Sequence, residues 1–198
     1  MNPFDLNIYN FIFSFQSTGF TLFMRVISSL ASATVIITTL ICILVLFKNK
    51  KVFYNFAGIA LISKIINVII KNTVKRPRPD VLFRLSFESG YSFPSAHTMV
   101  ATCFYGFIIY LILNQVKNKK IKNISTLLLS LLIFLIGISR IYLGVHYATD
   151  VIAGFIFGII VLVLFIKLIY LKNPIDFSKI ELNIKKQSSK KLKAQIKN

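Results

Sequence analysis

The fold class the sequence predicts is an all-α, integral-membrane helical bundle, and three observations predict it. Hydrophobic residues make up 56% of the 198 positions. The mean hydropathy is +0.73. The apolar residues fall into runs long enough to cross a bilayer, separated by short clusters of lysine and arginine. A water-soluble domain of this length has no means of hiding so much apolar surface, whereas a bilayer supplies the covering itself.

The elements follow in chain order. Residues 1–18 carry Phe4, Leu6, Ile8, Tyr9, Phe11, Ile12, Phe13 and Phe15, without a basic start or a small-residue cleavage site. They read as an aromatic helix lying at the membrane surface and not as a cleaved signal peptide. Five runs match the roughly 20 apolar residues that a crossing helix needs: 20–47, 52–71, 95–116, 124–140 and 146–170. The fourth is short but almost purely apolar from Leu127 to Ile138. Six crossings, with residues 1–18 as the extra one, is the main alternative.

Charge sets the orientation. Lys48, Lys50 and Lys51 follow the first run, Lys117, Lys119, Lys120 and Lys122 follow the third, and nine lysines lie between Lys167 and Lys197. Basic loops stay in the cytoplasm, so five crossings place the N-terminus outside. Segments 72–94 and 141–145 then share the non-cytoplasmic face. The first of them is itself basic, with Lys75, Arg76, Arg78 and Arg84, and so asks for a functional explanation. Residues 1–172 form the expected membrane domain. Residues 173–198 form a basic cytoplasmic tail, expected to be disordered and to touch anionic headgroups.

The net charge of +18 does not point to nucleic acid, because the basic residues punctuate apolar runs and no nucleic-acid-binding motif or zinc-finger spacing is present. Cys42 and Cys103 both lie inside apolar runs and imply no disulfide framework.

Three clusters carry chemistry, and all map to the same face. Lys71 ends a crossing and Arg78 opens a loop that Pro77 and Pro79 hold out of helix. Alone, this reads equally well as a loop touching headgroups. In the second cluster, Pro94 precedes Ser95, Ala96 and His97. A helix starting there offers N–H groups without intrahelical partners, a natural anion site. Alone, it reads equally well as a capped helix with an incidental histidine. The third runs from Ser139-Arg140 to His146 and Asp150. The spacing of four predicts that His146 and Asp150 share one helix face, where a carboxylate on one ring nitrogen leaves the other free as nucleophile or base. Ionisable groups at membrane helices default to function. The chain has only two histidines, and both sit in these clusters.

Taken together, Lys71 to Arg78-Pro79, Pro94-Ser95-Ala96-His97, and Ser139-Arg140 to His146 and Asp150 resemble the motifs of the type 2 phosphatidic acid phosphatase superfamily. The family commonly has glycine where this chain has Ala96, a position whose role is a backbone N–H. The resemblance implies that His146 attacks phosphorus, Asp150 orients it, and His97 protonates the leaving oxygen and then activates water. It further implies that Lys71, Arg78, Ser95, Ala96 and Arg140 hold the phosphate. Neither a metal nor another cofactor is expected, and no obligatory protein partner.

The expected substrate is a lipid phosphate at the membrane boundary: undecaprenyl diphosphate, phosphatidylglycerophosphate or phosphatidic acid. The expected location is a bacterial cell membrane, with the site on the non-cytoplasmic face. Two other readings stay open, a phosphotransferase using the same chemistry and a non-catalytic membrane protein. Of the remaining polar residues, Asp80 and Glu88 read as solvated loop charges, Arg84 as a candidate ligand for a second phosphate, and Tyr91 and Tyr142 as interfacial anchors. Lys64 and Asn67 are expected to face the bundle interior.

Overall fold

Short polar side chains fix where each apolar run becomes a helix. The computed structural model describes residues 2–47, 49–80 and 84–175. In it Asn2, Ser17, Ser32, Asn49, Ser95 and Asn118 each accept a hydrogen bond from a first-turn N–H of the helix that follows, satisfying donors that have no partner within the helix. The helices are α1 (Pro3–Phe13), α2 (Thr18–Ser29), α3 (Ala33–Leu46), α4 (Lys50–Val74), α5 (Ala96–Gln115), α6 (Lys119–Tyr142) and α7 (Ala148–Leu168). A 3-10 turn, Tyr170–Lys172, follows. Residues 176–198, most of the expected tail, lie outside the described residues, as does Lys48.

Four helices, α4 to α7, are long and apolar enough to cross a membrane, and α2 with α3 makes a fifth crossing if the bent pair is one span. Between 22% and 44% of each of the four is buried inside the protein, so lipid must cover the remainder. α1, with 11 residues, is too short to cross; it packs on α6 and α7.

The continuous helix expected over 20–47 is not observed. α2 and α3 meet at 48° because Ser28–Ser32 turns on short bonds, with the N–H groups of Leu30, Ala31 and Ser32 donating to the carbonyls three residues back. Ser29 Oγ bonds the Val26 carbonyl, and Ser32 caps α3. Serine hydroxyls compete for backbone groups and so favour such breaks.

α5 is the central helix, packed against α4, α6 and α7. Met99, Ala101, Cys103 and Phe107 on it are wholly buried. Its tightest crossing is with α7, at Gly154 and Gly158. A Cβ on Gly154 would lie 3.0 Å from the Ser95 carbonyl oxygen, and one on Gly158 would lie 2.7 Å from Thr102 Cβ and 3.1 Å from the Met99 carbonyl oxygen. Two glycines four apart let helix backbones approach closely in a membrane. The same approach brings the α7 N-terminus to that of α5, where the Ser95 N–H donates to the Asp150 carbonyl at 3.0 Å.

Gly158→Ala should therefore destabilise the bundle by about 1–3 kcal/mol, read as a lowered Tm in detergent. Gly19→Ala, where an added Cβ meets nothing within 4 Å, should leave Tm unchanged or raise it. Equal melting of the two variants would refute the close-crossing account.

Candidate active site

The α6–α7 turn delivers the first group. α6 ends at Tyr142, and Gly144, with φ 67°, reverses the chain in a left-handed conformation that glycine accepts without strain. The Arg140 carbonyl then receives the N–H groups of Val145 and His146, each at 3.3 Å. His146 is thus a loop residue and not part of α7. Its meeting with Asp150 does not come from the shared helix face that the spacing suggested. Asp150 is the third residue of α7, and its carboxylate reaches back over the helix start to accept the Tyr147 N–H at 2.9 Å. An acid there also suits the positive end of the helix dipole.

The Asp150 carboxylate is a hub. One oxygen accepts from Arg76 Nη1 at 2.6 Å. The other accepts the Ser92 hydroxyl and lies 3.4 Å from His146 Nδ1. On the far side of the ring, Arg78 Nη1 stands 3.2 Å from Nε2. A guanidinium only donates, so Nε2 is the acceptor and the ring proton belongs on Nδ1, towards Asp150. Burial, the largest influence, lowers the His146 pKa to about 4; the hydrogen bond to Asp150 opposes this, and the charges of Arg140 and Arg78 add to it. At neutral pH His146 is an uncharged imidazole whose Nε2 lone pair faces the loop arginine.

The cations fall into two classes. Arg76 is neutralised by Asp150 and by Asp5, at 2.9 Å. Arg140, almost fully buried, is neutralised by Glu88 at 2.5 Å, and its Nη1 donates to Ser28 Oγ at 2.5 Å. Burial works to raise the Glu88 pKa, but Arg140, by charge and hydrogen bond, together with His97 and Arg78, outweighs it and holds the carboxyl below its ordinary value. Glu88 is therefore an ion-pair partner and not the solvated loop charge expected. By contrast, Arg78 and Lys71 are held by backbone carbonyls: Arg78 by those of Ser89, Gly90 and Val145 at 2.9–3.0 Å, Lys71 by Tyr91 and by Ser92 at 3.2 Å. Neutral acceptors orient these two charges without cancelling them, so an oxyanion would find net positive charge there.

The remaining expected residues lie at the α5 start. Ser95 caps the helix, its hydroxyl receiving the Thr98 N–H and hydroxyl. The first N–H bonded back within α5 is that of Met99, to the Ser95 carbonyl, so the Ala96 and His97 N–H groups face the site end unclaimed by the helix. His97 makes no hydrogen bond among the described residues but feels the charges of Arg140, Glu88 and His146. All eight expected residues gather at one end of the bundle.

Sequence reasoning missed Asp5, Ser28, Ser92 and Thr149, and named Arg76 only among the loop charges that ask for a functional explanation. Asp5 lies in α1 yet is 1% exposed, receiving Arg76 and both the N–H and hydroxyl of Thr149 at 2.9–3.0 Å. Its signal was visible: it is the only acid in the first 79 residues. Arg84 bonds the Pro79 carbonyl at 2.6 and 2.9 Å. Tyr142 is no interfacial anchor; it is fully buried and bonds Thr21 at 2.7 Å.

With only two imidazoles present, 15N NMR can test the His146 assignment. Its resonances should show a neutral ring, protonated at Nδ1, throughout the neutral range, titrating only near pH 4. The neutral ring persists above that value and is lost below it. Titration near the ordinary 6.5 would overturn the assignment.

Comparison with known proteins places this geometry among relatives. The profile of the PAP2 superfamily matches residues 52–174. Phosphatidylglycerophosphatase B of Bacillus subtilis is 38% identical over 99 residues, covering 50% of this chain and 48% of the relative. Dolichyldiphosphatase of Saccharomyces cerevisiae is 38% identical over 105 residues, covering 50% and 44%. The chain thus spans about half the length of the curated relatives it matches. The crystal structure of a transmembrane PAP2-type phosphatidylglycerolphosphate phosphatase from Bacillus subtilis superposes with a TM-score of 0.75 at 26% identity, over 87% of each chain. Aquifex aeolicus LpxE gives 0.64 at 28% identity, over 82% of this chain and 94% of that one.

Proposed function

The chain belongs to the PAP2 superfamily, and on that premise we propose that it is a membrane lipid phosphatase that hydrolyses a lipid phosphate or diphosphate monoester through a phosphohistidine. The observation that carries this reading is the ring of His146: buried and uncharged, with Nδ1 towards Asp150 and the Nε2 lone pair beside Arg78.

In this reading Nε2 attacks phosphorus as the P–O bond to the lipid breaks. The leaving oxygen keeps the electron pair and takes a proton from His97. Asp150 stabilises the imidazole as it becomes positive. His97 then takes a proton from water, whose oxygen attacks the phosphorylated His146 and breaks the P–N bond. Lys71, Arg78 and the α5 start, with Ser95 and Ala96, hold the phosphoryl oxygens. Arg140 contributes charge from behind its pair with Glu88. Phosphoryl transfer is mainly a matter of positioning and charge neutralisation, and these fixed cations are suited to both. Asp5 and Arg76 position Asp150 without touching substrate.

The similarity to phosphatidylglycerophosphatase and dolichyldiphosphatase supports a lipid substrate, as does a site at the end of membrane-length helices. The proposed location is a bacterial cell membrane. Lys50 and Lys51 at the start of α4, and Lys119 and Lys120 at the start of α6, stand at the helix ends opposite the site, which supports a site facing away from the cytoplasm. The membrane unit 1–172 carries the proposed chemistry.

Purified protein given 32P-labelled lipid phosphate should release phosphate and, on rapid acid-free quenching, retain acid-labile, base-stable label. His146→Ala should abolish both, with a loss above about 10³-fold, while the protein still folds. Label retained by His146→Ala would sink the mechanism. Turnover should persist in EDTA; loss in chelator with recovery on added magnesium would show that a metal takes part. Ser89→Cys, made in a Cys42→Ser background, should react in intact cells with an impermeant maleimide. Labelling only after lysis would reverse the orientation.

A further inference from the structure

α4 carries a lysine where a membrane-spanning helix accommodates one worst. Lys64 stands near the middle of Lys50–Val74, well inside the span. It precedes Lys71 by seven residues, which sets it about 10 Å deeper along the axis and on nearly the same face. It is exposed and makes no hydrogen bond or ion pair among the described residues. Within membrane segments, unpaired charges are rare and mark substrate paths or sites.

The surroundings of Lys64 give it a use. It lines a groove of about 520 Å³ between α3, α4 and α5, whose only polar side chains among the described residues are Lys64 and His97. Ala31, Ile36, Leu61 and Val100 are among the apolar residues making up the rest. Such a lining fits an aliphatic chain, and the groove opens at the histidine proposed to protonate the leaving oxygen. A leaving lipid lying along this groove would have the atoms just beyond its scissile oxygen on the Lys64 side of His97. Lys64 and His97 line the same groove, and the Lys64 charge acts on both His97 and Lys71.

On the reading of the site as a lipid phosphatase, we propose that Lys64 binds a second phosphate, one that belongs to the leaving lipid. A monophosphate such as phosphatidic acid places neutral ester groups there and leaves the lysine unpaired. A lipid with two phosphates supplies its partner. The chemistry fits two sources: the inner phosphate of a polyprenyl diphosphate, or the phosphodiester of phosphatidylglycerophosphate. The second phosphate was expected at Arg84, which bonds the Pro79 carbonyl and does not line the groove, whereas Lys64 does.

The test compares the full-length protein with Lys64→Met and Lys64→Arg in mixed micelles, on three substrates: a polyprenyl diphosphate, phosphatidylglycerophosphate and phosphatidic acid. Lys64→Met should lower kcat/KM about tenfold or more on at least one two-phosphate lipid and leave phosphatidic acid within about twofold, with Lys64→Arg restoring most of the loss. A loss on the diphosphate alone identifies the inner phosphate as the ligand, and a loss on phosphatidylglycerophosphate alone identifies the phosphodiester. An equal loss on all three lipids, or no loss on any, overturns the proposal. Unaltered Tm in Lys64→Met guards against a folding defect, and if that variant is unstable the comparison is made with Lys64→Gln. Failure of the unsubstituted protein to hydrolyse any of the three would instead count against the phosphatase reading itself.

Discussion

The buried carboxylate of Asp150 is the interaction on which the rest of the site depends. Being 0% exposed, it cannot be left without donors, since an uncompensated buried charge costs several kcal/mol. It therefore collects them from the loop after α4 through Arg76, from the loop before α5 through Ser92, from His146, and from the start of its own helix through Tyr147. Its main-chain carbonyl takes the Ser95 N–H as well. One side chain thus ties together the three segments that carry the motifs. The close approach at Gly154 and Gly158 is what brings α7 near enough to α5 for this to happen.

Around that hub the charges are sorted by partner. Carboxylates balance Arg76 and Arg140, which pair with Asp150 and Asp5 and with Glu88 respectively. Carbonyls hold Arg78 and Lys71, which keep their charge. The division explains how a segment so basic can fold at all. Four cations packed together would repel, yet two are offset and the other two are spread along backbone oxygens. It also shows why arginine suits position 78: its fork spans the carbonyls of Ser89, Gly90 and Val145 while one nitrogen still faces His146, a geometry that lysine cannot reproduce.

Much of this was legible in the sequence, for identifiable reasons. Long apolar runs leave little choice but bilayer helices, and the serines and asparagines before them mark the starts. His97, His146, Lys71 and Arg78 stood out because polar groups at membrane helices are costly. The less legible features depend on distance along the chain or on competition for backbone groups. Asp5 finds Thr149 across 144 positions, and no local pattern announces such a pair. The break at Ser28–Ser32 hides within a run that is apolar on average. The His146–Asp150 spacing pointed to the right contact through the wrong geometry, because a reach-back over a helix start and a helical turn both join residues a few positions apart. Glu88 and Tyr142 were misplaced for a related reason: composition describes a boundary residue, but only packing reveals that Arg140 and Thr21 are waiting for them.

The clasp between α1 and α7 bears on how the protein is made. Asp5 meets Arg76 across 71 positions and Thr149 across 144, so its carboxylate gains both partners only when the last helix is in place. The site cannot close on a partly inserted chain. A chain without α7 has neither Asp150 nor Thr149, so Asp5 and Arg76 are left with each other and the motif segments lose their common acceptor.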